Sequence, residues 1–333
     1  MRELSPPPRR VLRPSGALDA GSFRGALPPV DWSGLHRTRW FQLAHHKRWI
    51  YFALATDELF IAAAVVDLGY ASNAFAFAFD KASKRMLADV TSLGPPFVGS
   101  VGDTMGAGCR ANFRLGGSQV SLTRSSDASP YRLFLSMPDL RLEAAVSAPD
   151  SPPPVAAIAE LPNGCANATE KRVLLPVVGD AWVAGKRYRL DGGHGGYDYT
   201  NGYLARHTAW RWAYAMGHAQ SGERVGINLV SGFNGERECA IWVEDEVTGV
   251  GEGLFDFDPK NPRAPWRITT ADGAVDLDFV PGGLHAEHKD LGLVRSRFIQ
   301  PVGLYRGTLR VAGREPIVLD EVLGVAEDQD VLW

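Results

Sequence analysis

The sequence predicts an all-β fold in two halves, and three observations carry that prediction. Short segments of alternating apolar and polar residues follow one another at roughly eight- to twelve-residue spacing with turn chemistry between them, the pattern of antiparallel sandwiches and barrels. Two hairpin signals, Asn234-Gly235 and Asp272-Gly273, place residues tolerant of positive φ between apolar runs in the second half. No segment of about twelve residues or more carries a sustained helical stripe, and no period of roughly 20 to 50 residues recurs, which sets aside helical bundles, propellers and solenoids.

The elements follow in order. Residues 1–30 are proline-rich and without periodicity, so they are expected to form an extended arm wrapping the surface. Order is expected to begin near Asp31-Trp32, with strands over 48–55, 58–66 and 70–79. The last contains Ala74-Phe-Ala-Phe-Ala-Phe79, which sends every ring one way and every methyl the other, as in a curled wall with unlike neighbours on its two faces. Further strands are expected over 84–90, 111–115, 119–123, 131–136 and 140–147. Pro152-Pro-Pro154 reads as a loop, and strands over 172–178 and 181–190 complete a first domain, 31–190. The second domain, 191–333, is expected to hold strands over 225–231, 238–244, 266–270, 274–280, 293–300, 305–311 and 317–325.

Composition narrows the function classes. A chain of 333 residues is long for one ordinary core, and 45% hydrophobic with 22% charged residues is the composition of a globular protein. The net charge of −3 comes without a basic stripe, so nucleic acid is not an expected partner. The longest apolar run, Leu59–Val66, is far shorter than the ~20 residues of a membrane helix, and no secretory signal is legible. Three widely spaced cysteines argue against a disulfide framework, and a cytoplasmic location is expected.

One stretch stands apart, Asp191–Tyr214, with five glycines, two histidines, three tyrosines before Arg206-His207 and a Trp-x-Trp. Glycines 192, 193, 195 and 196 free the backbone to turn sharply or to approach a ligand. The strand that follows puts Trp210, Trp212 and Tyr214 on one side, either as core or as the wall of an apolar cavity. Asp198, His194, His207, Arg206 and Glu238 form the constellation with chemical potential. A carboxyl group among Tyr197, Tyr199, Tyr203, Trp210 and Trp212 would be desolvated, kept protonated and able to act as a general acid. The competing reading is that Asp198 closes an Asx-turn in a tight loop. The Gly192–Gly196 run lacks the features of a phosphate cradle, no Gly-x-Ser-x-Gly is present, and no cofactor is expected. His45-His46 and His285-Ala-Glu-His288 have poor spacing for a metal and read as surface histidines, so no metal is expected.

Six short motifs then occur in a fixed order: Leu68-Gly-Tyr-Ala71; Asp198-x-x-x-Gly202 with Trp210-x-Trp-Ala213; Gly226-Ile-Asn-Leu229; Glu238-x-Ala240; Pro265-Trp-Arg-Ile268; and Gly324-x-Ala-Glu327. Together they resemble the domain of unknown function 2804 family from about residue 30 to the end. That family is similar in turn to the carotenoid hydratase (hydroxyneurosporene synthase) and AttH-like proteins. The resemblance implies two tandem lipocalin-like barrels or sandwiches, with residues 191–207 at their junction. It also implies a hydrophobic, isoprenoid- or lipid-like ligand, handled by a cofactor-free hydratase, isomerase or cyclase. In the hydratases an Asp-His-x-x-Gly-like element carries the acid. Asp198 and Gly202 keep that frame here, and Tyr199 stands in the histidine position. On this reading Asp198 donates the proton, and Glu238 or His207 positions water or accepts a proton. His194, Tyr199, Tyr203, Arg206, Trp210, Trp212 and Asn228 contact the ligand. A non-catalytic carrier and a carbohydrate-active module with two carboxylates across an open groove are the rival expectations.

Overall fold

The computed structural model describes residues 2–149, 151–290 and 292–333. The fold is almost wholly antiparallel β, with one seven-residue α-helix, Arg39–His45, among the described residues. No helix of the described residues is long and apolar enough to cross a membrane.

The first sheet has fourteen strands. Its main path runs Arg85–Gly94, Ser72–Asp80, Leu59–Asp67, His46–Ala55, His194–Tyr203, Cys165–Val183, Leu140–Val146, Tyr131–Met137, Ser118–Arg124, Cys109–Leu115 and Gly99–Val101. The far edge curls back until Ser72 donates its hydroxyl to the carbonyls of Pro96 and Gly99, at 3.1 and 3.3 Å, so the sheet forms a nearly closed barrel. The second sheet has nine strands and forms a half-barrel. Its order is Glu246–Gly249, Ala240–Val243, Arg224–Gly232, His207–His218, Ile317–Leu332, Arg295–Leu309, Val275–Asp290, Trp266–Thr270 and Gly253–Asp256.

The two units share a wall. Along Ser72–Asp80, Ala74, Ala76 and Ala78 face the core of the first barrel, while Phe75, Phe77 and Phe79 face the second sheet. The two strands before it divide likewise: Ile50, Phe52 and Leu54 go inward and Tyr51 outward, and Ile61, Ala63 and Val65 inward against Phe60, Ala62 and Ala64 outward. Period two therefore lets three strands serve two cores at once.

Several local expectations shift. The Gly192–Gly196 region is expected to be a turn, but only residues 191–193 turn, and His194–Tyr203 is a strand paired on both sides. It belongs to the first sheet, so the crossing into the second falls at residues 204–206 rather than near 190. The glycines serve close approach: a Cβ on Gly196 would collide with the Tyr214 hydroxyl and the Arg172 carbonyl. The Asn234-Gly235 hairpin forms, but through a wide loop with a 3-10 turn over Gly235–Glu238. Asn234 stays at φ −88°, and Phe233 takes the positive φ instead, 53°. A strand outside the expected set, Val155–Leu161, returns on Cys165 through Pro162–Gly164, where Asn163 and Gly164 both have positive φ. His285 is not a surface histidine. It is buried, held by Asp89 at 2.6 Å and stacked on Phe75, because Val275–Asp290 passes over the shared wall.

The proline-rich arm does wrap the molecule. Arg2 pairs with Gly249 of the second sheet, Gly21–Arg24 pairs with Val155–Leu161, and the Leu27 amide donates to buried Glu170 at 2.7 Å. All three cysteines are buried and free.

Candidate functional site

Between the shared wall and the second sheet lies a cavity of about 360 Å³, within the ~300–1,000 Å³ range of small-molecule sites. Its floor is buried: Tyr51, Asp198, Trp212 and Glu327 are all less than a tenth exposed. Its mouth carries Leu93, Glu287, Lys289 and Ser296, and Leu93 is 45% exposed. Aromatic rings line much of the wall: Trp49 stacks on Trp210 at 5.7 Å, and Tyr51 meets Trp212 edge-on at 5.2 Å.

Strand register assembles the polar groups. Asp198 is directly opposite Tyr51 on one side and Lys171 on the other, so these three point together toward the second sheet. The Lys171 ammonium donates to Asp198 and lies 3.2 Å from Glu238 Oε2. Burial alone would lower the Lys171 pKa, but the two carboxylates outweigh it and the net shift is upward. Burial raises the Glu238 pKa, with Lys171 opposing and Asp198 adding. Glu238 is 1% exposed and does not line the cavity, so Asp198 is the member of this trio that opens onto it.

The second sheet contributes Glu327, opposite Trp212 in register. Its carboxyl accepts from Trp210 Nε1 at 2.7 Å and contacts Gln300 Nε2 at 2.6 Å. Burial pushes its pKa to about 8, against the hydrogen bonds and with a further push from Asp198. Glu327 is therefore mostly a neutral acid at pH 7. Gln300 Oε1 has no partner, and a half-turn of the amide would present it to the Glu327 proton at a separation usual for O–H···O.

The residues singled out from sequence divide by position. Asp198, Trp210 and Trp212 line the cavity, and Asn228 supports it by accepting from Trp212 Nε1 at 2.7 Å and donating to the Glu238 carbonyl at 2.8 Å. His207 lies outside, 64% exposed and 3.0 Å from Asp330, because its strand has only begun there. His194 packs on His218 at the opposite end of its strand, with its pKa lowered to about 4 by burial. Tyr199 points into the first barrel and donates to the Gly102 carbonyl at 3.2 Å, since alternation sends it opposite to Asp198. Tyr203 packs against Trp32, Phe41 and His46. Arg206 ties down the Trp333 and Leu293 carbonyls.

Lys171, Glu327 and Tyr51 belong to the site but are not among the residues singled out from sequence. Lys171 had a signal, since Glu170-Lys-Arg172 puts three charges inside an otherwise uncharged run; Glu327 had one in the closing motif. Tyr51 had none. Among the described residues no group of three or more His, Cys, Asp or Glu side chains is placed to hold a metal ion.

Comparison with known proteins supplies the family and the fold. The model of the domain of unknown function DUF2804 matches residues 2–333. No curated protein sequence matches. Among solved structures, kievitone hydratase from Nectria haematococca is similar with a TM-score of 0.52 at 12% identity, over 88% of this chain and 90% of that one. An AttH-like protein from Nitrosomonas europaea aligns with a TM-score of 0.49 at 10% identity, over 86% of this chain and 92% of that one. At 12% identity the likeness to kievitone hydratase speaks for the fold alone.

Proposed function

The chain belongs to the DUF2804 family, and from that premise we propose that its cavity binds an apolar small molecule and carries out cofactor-free proton transfer on it, as a hydratase, isomerase or cyclase. One observation carries the reading. Two carboxyl groups in unlike settings, Glu327 neutral through burial and Asp198 paired with Lys171, open onto a single aromatic cavity. Environments that separate an acid from a carboxylate are what acid–base catalysis needs.

Glu327, rather than Asp198, is the proton donor in this scheme. It would protonate an alkene, enol or ether oxygen at the cavity floor, and Asp198 would accept a proton from water or from the substrate. The π faces of Trp210, Trp212 and Trp49 would stabilise developing positive charge. A named fold neighbour is a hydratase, which is in keeping with this chemistry.

The competing reading is a carrier, favoured by the engagement of both Glu327 oxygens within the protein. The test begins with native mass spectrometry of protein isolated from its own host, which should release an apolar molecule absent from an Ala64→Phe variant whose ring fills the cavity. That molecule is then incubated with wild-type, Glu327→Gln and Asp198→Asn proteins. Conversion by wild type and loss of at least about 100-fold in both variants, with binding kept, supports catalysis. Recovery of the molecule unchanged from all three leaves the carrier.

A further inference from the structure

Of the four side chains on the cavity floor, three have polar atoms engaged by the protein. Trp212 Nε1 donates to Asn228, Asp198 accepts from Lys171, and both Glu327 oxygens are engaged by Trp210 and Gln300. The fourth, Tyr51, is 4% exposed, and its hydroxyl has no hydrogen-bond partner in the protein. Other unpartnered polar atoms around the cavity, on Tyr70, Asn73 and Glu287, belong to side chains more open to solvent. Tyr51 alone combines full depth with an uncommitted donor.

A buried hydroxyl is costly to leave unmet, so whatever fills the floor is selected for its ability to meet it. An apolar occupant displaces solvent without replacing the hydrogen bond; an occupant with an oxygen in the right place replaces it. Burial, with Glu327 and Asp198 nearby, keeps the phenol protonated well above its usual range, so it acts as a donor throughout the working pH range. The ring itself is fixed edge-on against Trp212 and tilted 6.2 Å from Phe75, which leaves the hydroxyl little freedom to seek another partner.

We propose that Tyr51 determines specificity in this cavity: its O–H donates to an oxygen acceptor, a carbonyl, hydroxyl or ether, at the inner end of an otherwise apolar ligand. The proposal rests on the reading of the cavity as a ligand site and adds the ligand's chemical class. The preferred ligand is an oxygenated hydrophobe bound oxygen-first, and a plain hydrocarbon of the same shape is a poorer fit.

A matched pair of probes tests it by equilibrium dialysis: 2-acetylnaphthalene, and 2-isopropenylnaphthalene, in which a methylene replaces the carbonyl oxygen. Wild type should prefer the ketone by on the order of tenfold, and Tyr51→Phe should abolish that preference by weakening the ketone alone. No protein group loses a partner in Tyr51→Phe, so its melting temperature should equal or exceed that of wild type. Wild type binding both probes equally overturns the proposal without any variant, and so does a variant that keeps the ketone preference or weakens both probes alike. Failure of wild type to bind either probe overturns the cavity reading itself, and the proposal with it.

Discussion

Lys171, Asp198 and Glu238 are all less than a tenth exposed, and their mutual pairing is what makes that burial tolerable. Removing the cation leaves two carboxylates with no counter-charge, so Lys171→Met should destabilise by ~3–5 kcal/mol in urea unfolding. Combining it with Asp198→Asn and Glu238→Gln should recover much of the loss. Glu327 makes a prediction of the opposite kind. Its folded pKa of about 8 exceeds the ordinary 4.5, so the folded state holds the proton more tightly than the unfolded one. The stabilisation this gives is full below about pH 4.5 and is lost as pH rises through about 8. Melting temperatures of wild type and Glu327→Gln, compared across pH 4 to 9, should therefore diverge with rising pH in favour of the variant. If Glu327 is the donor, turnover should also fall as pH passes about 8.

Strands supply the geometry that single residues cannot. In Ser72–Asp80 the rings and methyls belong to different cores, so substitutions one residue apart report on different compartments. Phe77→Ala should cost ~3–5 kcal/mol by opening a void at the junction. Phe97→Ala, at an 86% exposed ring, should stay within about 0.5 kcal/mol. Gly196 shows the same dependence on close approach, for its missing side chain admits the Tyr214 hydroxyl to the Arg172 carbonyl at 2.8 Å. Gly196→Ala should push the sheets apart and lower the melting temperature, and adding Tyr214→Phe should restore only part, because the Arg172 carbonyl still blocks the new methyl.

The molecule as a whole behaves as one unit in this view, because the wall of the nearly closed barrel is also one side of the half-barrel's core. Calorimetry should show a single cooperative transition rather than two. The arm is part of the same unit, with Arg2 on the second sheet and Leu27 satisfying Glu170 inside the first. Burial raises the Glu170 pKa, and Tyr197 is its remaining partner once the arm is gone. Deleting residues 2–30 should therefore lower the melting temperature of the whole molecule and not of one half.

Much was legible in the chain itself. Period-two alternation, turn residues and the absence of helical stripes determine an all-β protein, and Ala74–Phe79 announces a wall with two unlike faces. Six ordered motifs determine the family. These signals are local, carried by residues within a few positions of one another, and local rules suffice to read them. The site is different in kind. Asp198 and Lys171 are brought together by strand register, Glu327 arrives from the end of the chain, and Tyr51 loses its partners only when the second sheet closes over it. Alternation likewise sends Asp198 to the cavity and its neighbour Tyr199 into the first barrel. A pKa set by burial and a hydroxyl left unpaired depend on what surrounds a side chain, and only the tertiary structure decides that.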